Sequence, residues 1–284
     1  AKKADQIKEL QEFVARFSAN ASKSKQATSR KKQLEKITLD DIKPSSRKYP
    51  FIKFTPDREI GNDLVKVENV SKSIEGVKIL DNISFTLRPN EKTALISRND
   101  LATTTLMQII AGSMAPDSGT VTWGQTTSRT YLPKDINEEY AGSELPIIDW
   151  LRQFASKEES DNTFLRGFLG KMLFSGSDVE RPVNVLSGGE KVRGMLSKMM
   201  LSRANVLLLD DPTNHLDLES ITALNDSLID FKGAIVFTSH DHEFIQTIAD
   251  HIVEVSAKGV VDRGDTTYDE YLAHEATQLS LIHI

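Results

Sequence analysis

Residues 186–217 carry the feature that most limits the folds open to this chain. Leu186–Glu190 places a serine, two glycines and a glutamate before a stretch with helical apolar periodicity, which leads into the fully apolar run Val206–Leu209. This order predicts a glycine turn, a helix and a buried strand. Adjacent glycines leave backbone amides bare at the positive end of a helix, where an anion can bind. We therefore expect an α/β protein with an anion-binding turn.

Two acids and a histidine directly follow predicted buried strands, at positions that suit catalytic residues. Asp210 and Asp211 come directly after the first apolar run, and His240 follows the second run, Ala234–Phe237. An acid at a strand end can hold Mg2+, so Asp210 is the candidate metal ligand. Asp211 could orient an attacking water, and His240 could polarise a terminal phosphate. With the glycine turn, these residues predict phosphoryl chemistry by positioning and charge.

Apolar patterning elsewhere supports the same layout. Alternation or short buried runs predict strands, and steps of three and four residues predict helices. The predicted strands are Leu64–Val70, Ile83–Leu87 and Thr93–Ile96, and the predicted helices are Lys2–Phe17, Thr104–Ala111 and Glu190–Ser202. Gly112 is placed to end the second helix, and Gly259–Leu272 suggests a closing strand and turn.

Composition excludes several classes of protein. None of the apolar runs among the 284 residues approaches the roughly 18 residues that a membrane span needs, so this chain is not a membrane-embedded transporter. The absence of cysteine excludes disulfides, thiol catalysis and cysteine-based metal sites. The chain begins at Ala1 without an apolar signal segment, which favours the cytoplasm, and the missing methionine suggests a fragment or a processed product.

The charge of the chain is strongly divided. Residues 1–48 hold 13 of the 35 Lys and Arg but only 6 of the 41 Asp and Glu, a balance of +7, and the remainder carries −13. A basic arm on an acidic body favours an anionic partner, most plausibly nucleic acid. The candidate contacts are Lys23, Lys25, Arg30, Lys31 and Lys32, between which small hydroxyl residues suit phosphate contact. A solvated charged helix is the alternative, and the domain boundary is expected between Leu39 and Asn62.

These motifs together resemble the ATPase cassette of the ABC superfamily. Their sequences are similar to those of the ABC-F class and its YkpA-like subgroup. The resemblance implies an α/β ABC ATPase cassette with a P-loop NTPase-like core, an antiparallel β subdomain and a helical subdomain at Pro146–Arg181. It implies a cassette over residues 62–272, preceded by the end of an inter-cassette linker (residues 1–48) and followed by a tail (273–284). ABC-F proteins have two cassettes, lack transmembrane domains and typically act on the ribosome, with ATP and Mg2+ as ligands.

The resemblance also assigns roles to individual residues. Ser187, Gly188, Gly189 and Glu190 would form the signature loop, and Asn214–Asp217 the D-loop. Asp210 would be the Walker B magnesium ligand, Asp211 the catalytic acid and His240 the switch histidine. In the phosphate loop, the cofactor-binding positions would be Asn99, Thr103, Thr104 and Thr105, with the Thr104 hydroxyl on Mg2+.

The phosphate loop departs from the family pattern G-x-x-x-x-G-K-[ST]. Ser97 and Ala102 replace its two glycines, and Thr103 replaces its lysine. Losing the lysine removes a charge that meets the phosphates, and Asp100 adds a negative charge close to them. Lys134 stands where a glutamine is usual, and the acid at position 211 is shorter than the usual glutamate.

The signature loop keeps the family's sequence pattern, whereas the phosphate loop has lost most of its own. This contrast favours an asymmetric pair of cassettes. Because ABC cassettes pair head to tail, this chain would complete the ATP site of a missing N-terminal cassette while binding nucleotide weakly itself. The basic arm would contact the ribosome, ribosomal RNA or transfer RNA, without a membrane partner. Three alternatives remain open: a non-hydrolysing regulatory pseudo-ATPase, the ATPase subunit of a membrane transporter, and a ribosome-protection factor conferring antibiotic resistance.

Overall fold

The computed structural model describes residues 2–17, 28–35, 47–256 and 259–282. Lys23 and Lys25, two of the predicted arm contacts, lie outside the described residues. Within those ranges, none of the helices is both long enough and apolar enough to span a bilayer.

Strands form two separate sheets in the described part of the chain. The bounds are β1 (Val65–Ile74), β2 (Val77–Leu87), β3 (Lys92–Ile96), β4 (Ser118–Trp123), β5 (Arg129–Leu132), β6 (Val206–Asp210), β7 (Ala234–Thr238), β8 (His251–Ser256) and β9 (Gly259–Asp262). The smaller sheet is antiparallel, with the order β2-β1-β4. The larger sheet has the order β5-β6-β7-β3-β8-β9, parallel except for β9.

Helices connect the strands and surround the larger sheet. Their bounds are α1 (Lys2–Phe17), α2 (residues 28–35), α3 (Asp100–Ala111), α4 (Asn137–Tyr140), α5 (Ile147–Arg152), α6 (Asn162–Lys171), α7 (Gly188–Ser202), α8 (Leu218–Asp230), α9 (His242–Ile248) and α10 (Tyr268–Ile282). Helices α5 and α6 form the predicted helical subdomain, and short 3-10 turns join it to α7.

Strand order brings the predicted catalytic residues to one edge of the sheet. β6, β7 and β3 are neighbours, and every residue of β6 and β7 is buried, as expected for strands covered on both faces. Parallel strands end at the same edge, so Asp210 and the residues after Thr238 meet the loop between β3 and α3. A ligand site at the carboxyl ends of parallel strands is the usual arrangement of such sheets.

The predicted fold class is confirmed, and two local predictions are corrected. Helix α3 begins at Asp100 rather than Thr104, because the Asn99 side chain accepts the amide of Leu101 and caps the helix earlier. The predicted closing strand is present as β9, but from Tyr268 the chain forms the helix α10 instead of a turn. Tyr271 anchors that helix because its ring is buried in the main core.

The role predicted for Arg30 in nucleic-acid contact is wrong. Its side chain, only 4% exposed, lies against α8, and its Nη1 atom is 2.7 Å from Oδ1 of Asp226. A second carboxylate, that of Asp230, lies 3.8 Å from Nη2. Arg30 therefore holds the arm on the cassette instead of facing a partner, whereas Lys31 and Lys32 are exposed.

The docked arm changes the ionisation of the carboxyl groups around Arg30. Burial raises the pKa of Asp226 to about 6, with Asp230 adding to the rise and Arg30 opposing it. Burial likewise raises the pKa of Glu9 on α1. Three acids from two helices thus surround one buried guanidinium.

Candidate nucleotide site

The glycine turn lies at the start of α7, held by a capping box. The Ser187 hydroxyl accepts the Glu190 amide at 3.2 Å, and the Glu190 carboxylate accepts the Ser187 amide at 3.0 Å. This reciprocal pair fixes the first turn of the helix. Ser187 and Gly188 are exposed. The turn therefore presents backbone amides to solvent in a fixed geometry at the positive end of a 15-residue helix.

Glu190 supports this turn rather than facing outward. Arg181 pairs with its carboxylate through two nitrogens. Burial raises the pKa of Glu190, but the hydrogen bonds from Arg181 and Ser187 outweigh it and lower the pKa overall. The residue predicted to bind cofactor is thus charged and fully engaged in shaping the turn.

His215 of the predicted D-loop packs against the glycines, a role that sequence analysis missed. A Cβ atom added at Gly189 would lie 2.8 Å from the His215 carbonyl oxygen, and one added at Gly188 would lie 3.2 Å from its Nδ1 atom. Glycine is therefore required at 189 for close packing. The sequence order could not show this contact, because His215 follows Gly189 by 26 positions, with a helix and a buried strand between them.

Asp210 provides a buried oxygen at the end of β6. Its Oδ1 atom accepts the Thr238 hydroxyl at 2.6 Å, and its buried Oδ2 atom has no hydrogen-bond partner among the described residues. Burial raises the pKa of Asp210, opposed by the nearby Thr238 and Thr104 hydroxyls and by Lys134. A carboxylate oxygen left unsatisfied beside a hydroxyl fits a hard cation such as Mg2+. Asp210 and Thr104, the two predicted metal ligands, are thus brought together.

Asp211 has an unusual backbone conformation next to this site. Its φ of 49° lies in the left-handed region, which aspartate tolerates better than most residues. The Asp211 amide donates to the hydroxyl and carbonyl oxygens of Thr238, at 3.0 and 3.2 Å. These bonds turn the Asp211 side chain into the cavity at the edge of the sheet.

That cavity is small and polar. It has a volume of about 140 Å3 and includes the predicted acids and the predicted histidine among its lining residues. Its lining residues are Leu95, Ile96, Ser97, Asp100, Thr103, Lys134, Asp210, Asp211, Thr238, Ser239, His240, Ile245 and Tyr268. The strand order therefore gathers the acids, the histidine and the phosphate loop around one space.

Three amides of the phosphate loop donate hydrogen bonds within the loop. The Ser97 hydroxyl accepts the Asn99 amide, and the Asn99 side chain accepts the Leu101 amide, both at 3.1 Å. The next amide, of Ala102, donates to the Asn99 carbonyl oxygen at 3.0 Å. A glycine-rich phosphate loop instead keeps such amides free for phosphate oxygens. Asn99, predicted to bind nucleotide, caps α3 here.

The threonines of α3 differ in their access to the cavity. Thr103, at the lysine position, is buried and its hydroxyl donates to the Asp100 carbonyl oxygen at 3.1 Å. Thr105 is fully buried, and its hydroxyl points into the protein rather than lining the cavity. Neither side chain supplies the charge that a lysine would bring to a phosphate.

Asp100 projects from the first turn of α3 towards the His240 imidazole and the Lys134 ammonium. Its Oδ2 atom is 3.2 Å from Nε2 of His240 and 4.0 Å from Nζ of Lys134. The predicted switch histidine and the residue at the glutamine position thus both face an internal carboxylate.

The residues present fit a metal ion better than a triphosphate. The unsatisfied oxygen of Asp210 and the Thr104 hydroxyl suit Mg2+, as argued above. Three features of the phosphate loop oppose phosphate binding. The amides of Asn99, Leu101 and Ala102 are bound within the loop, the lysine position holds Thr103, and Asp100 lies beside His240 and Lys134.

A parallel sheet flanked by an antiparallel sheet and a helical subdomain, with a capped glycine turn at α7, defines an ATPase cassette. Family comparison agrees: two family models, both described as ABC transporter, match residues 80–214 and residues 1–54. The chain belongs to the ATP-binding cassette family, whose members generally bind ATP with Mg2+ and hydrolyse it.

Curated relatives extend across the whole chain. It is 63% identical over 283 residues to the ABC transporter ATP-binding protein YkpA of Bacillus subtilis, covering 100% of this chain and 52% of YkpA. It is 41% identical to the probable ATP-binding protein YbiT of Escherichia coli O157:H7, over 96% of this chain and 51% of YbiT. The chain thus spans about half the length of these relatives.

Solved structures agree on the fold. An ATP-binding subunit of an ABC transporter superposes with a TM-score of 0.60 at 21% identity, covering 75% of this chain and 93% of that one. A dimeric ATP-binding cassette in a post-hydrolysis state with ADP and Pi superposes with a TM-score of 0.57 at 17% identity, covering 72% of this chain and 100% of that one.

Proposed function

We propose that this chain is the C-terminal half of an ABC-F ATPase that acts on the ribosome in the cytoplasm. Its signature loop completes the ATP site of a partner cassette in the same protein, while its own phosphate loop is degenerate. The observation that carries this proposal is the contrast between two loops. In Ser187–Glu190 the capping box engages the Ser187 and Glu190 amides but neither glycine amide. In Ser97–Ala102 the amides of Asn99, Leu101 and Ala102 are bound within the loop.

The geometry of the signature loop suits donation to a phosphate held by another cassette. Ser187 uses its oxygen to cap α7, so its hydroxyl hydrogen remains able to donate. The amides at the exposed helix start add a positive field for an anion arriving from outside. Phosphate release by the full-length protein, measured with the loop intact and with Ser187 replaced, tests this donation.

The lengths of the relatives support a second cassette outside this chain. The chain covers 52% of YkpA and 51% of YbiT, which leaves about as many residues again in each. YheS of Escherichia coli K12, named a probable ATP-binding protein, is 36% identical over 90% of this chain and 40% of its own length. A two-cassette protein accounts for those lengths.

A regulatory pseudo-ATPase is the second candidate, since the cavity of this cassette does not suit a triphosphate. In that case the pair of cassettes closes on a partner without turnover. Measured ATP hydrolysis by the full-length protein that depends on Ser187 distinguishes the ATPase from the pseudo-ATPase.

The arm gives the proposed protein its contact with ribosomal RNA or transfer RNA. Lys31 and Lys32 are exposed beside the buried Arg30, so their charges are available to phosphates. Lys23 and Lys25 remain proposed contacts outside the described residues.

Replacing Lys31 and Lys32 with glutamine should weaken ribosome association. Each lost phosphate contact should flatten the dependence of log affinity on log salt by about 0.7 to 0.9. Co-sedimentation with ribosomes over a salt series provides the measurement. Lys66→Gln with Lys78→Gln, two exposed lysines of the cassette, is the matched control. An equal loss of ribosome association in both double variants would indicate that the arm is a solvated charged helix without a specific contact.

A further inference from the structure

We infer that Asp100 acts as a built-in substitute for the terminal phosphate and closes this cassette's own anion subsite to nucleoside triphosphates. This inference rests on the proposed function, in which the competent ATP site belongs to the partner cassette. It goes beyond the loss of a lysine, because it assigns an active exclusion to one residue.

The first support is the position of the Asp100 carboxylate. It faces two nitrogen groups of the cavity, the His240 imidazole at 3.2 Å and the Lys134 ammonium at 4.0 Å. An incoming phosphate would need the same two groups, since no other cation lines the cavity in the described part of the chain. The carboxylate would also repel a phosphate held at similar distances.

The second support is the state of the loop around Asp100. The Ser97 hydroxyl accepts the Asn99 amide, the Asn99 side chain accepts the Leu101 amide, and none of residues 97–102 has a positive φ. The loop therefore does not offer the concave row of free amides that binds phosphate. Side-chain oxygens of the chain itself take the places of phosphate oxygens.

The third support is the size of the space. The cavity of about 140 Å3 is well below the roughly 300 to 1,000 Å3 of typical small-molecule sites. The space that remains beside Asp100 suits a few water molecules or a cation on Asp210. The exposed contact between Asp100 and His240 adds little to stability, so the fold does not require the Asp100 carboxylate for this contact.

Asp100→Asn tests the inference, because it removes the charge and keeps the size of the side chain. Asp81→Asn is the matched control, since Asp81 is 48% exposed, is paired with Lys78 and lies on β2. The probe is a fluorescent ATP analogue with Mg2+, titrated at equilibrium into the 284-residue chain. We expect Asp100→Asn to bind about ten- to a hundredfold more tightly than the unchanged chain and Asp81→Asn.

A second pair of variants keeps the test decisive if the missing lysine alone limits affinity. Thr103→Lys is combined with Asp100→Asn in one protein and with Asp81→Asn in the other. The variant with Thr103→Lys and Asp100→Asn should bind the analogue at least about tenfold more tightly than the variant with Thr103→Lys and Asp81→Asn. Equal affinity within both pairs, or tight binding by the unchanged chain, would overturn the role of Asp100. Neither result bears on whether the signature loop donates hydrogen bonds to the partner cassette's nucleotide, because that is measured separately with the Ser187 variants.

Discussion

Ser187→Arg should abolish ATP turnover by the full-length protein, with a fall of at least about a hundredfold. A donor aimed at a developing phosphate charge is worth about that factor in other enzymes. The arginine side chain would also fill the space in front of the exposed turn that the partner's nucleotide must enter. Initial rates of phosphate release, at saturating ATP with Mg2+, give the measurement.

Ser187→Thr is the matched control, because threonine keeps both the cap and the hydroxyl. Its turnover should stay within about threefold of the unchanged protein. Losing the cap costs about 1 kcal/mol, so thermal unfolding of each variant shows whether Ser187→Arg remains folded. If Ser187→Arg is folded and hydrolyses ATP at the normal rate, the signature loop takes no part in turnover.

Asp211→Asn should hardly change turnover, by less than about twofold, although Asp211 lies at the position of the catalytic acid. Under the proposed asymmetry, hydrolysis takes place in the site that the partner cassette holds, so turnover does not depend on Asp211. A large loss with Asp211→Asn, together with tolerance of Ser187→Arg, would mean that this cassette's own site performs the reaction.

Arg30→Ala should release the arm from α8 and destabilise its docking by about 3 kcal/mol. The reason is that Asp226, only 19% exposed, would be left without the guanidinium 2.7 Å away. Lys31→Ala removes the same charge one residue later from an exposed position, where about 0.5 kcal/mol or less is expected. Limited proteolysis and hydrogen exchange of residues 28–35 measure the difference.

Similar protection of the arm in Arg30→Ala and Lys31→Ala would show that the ion pair does not hold the arm. The pH dependence gives a second readout. Burial raises the pKa of Asp226 to about 6 in the docked state. The contribution of Asp226 to docking of the arm is therefore fully present below its ordinary pKa and is lost as the pH rises through about 6. Asp226→Asn should make protection of residues 28–35 less dependent on pH in that window.

The sequence sufficed for the features that depend on neighbouring residues. Gly188 and Gly189 before an amphipathic helix predicted the turn at α7, and four consecutive apolar residues predicted the buried β6. Both signals are local, since helix caps and strand patterns repeat within a few residues. The class of fold followed from their order along the chain.

Contacts between distant residues could not be predicted in the same way. Arg30 meets Asp226 across 196 positions, so the charge pattern of the arm showed an excess of cations but not which one was buried. Asp100 meets His240 only because β3 lies beside β7 in the sheet. The sequence showed that Asp100 opposes phosphate binding, and the sheet order shows which cations it faces.

The most direct test of the asymmetric account is the number of nucleotides bound by the full-length protein. Equilibrium dialysis with a radiolabelled, non-hydrolysable ATP analogue and Mg2+ measures this number at saturation. The account predicts one tightly bound nucleotide per molecule, held by the partner cassette against Ser187, Gly188 and Gly189. Two tightly bound nucleotides per molecule would contradict it, because the cavity beside Asp100 would then be a working ATP site.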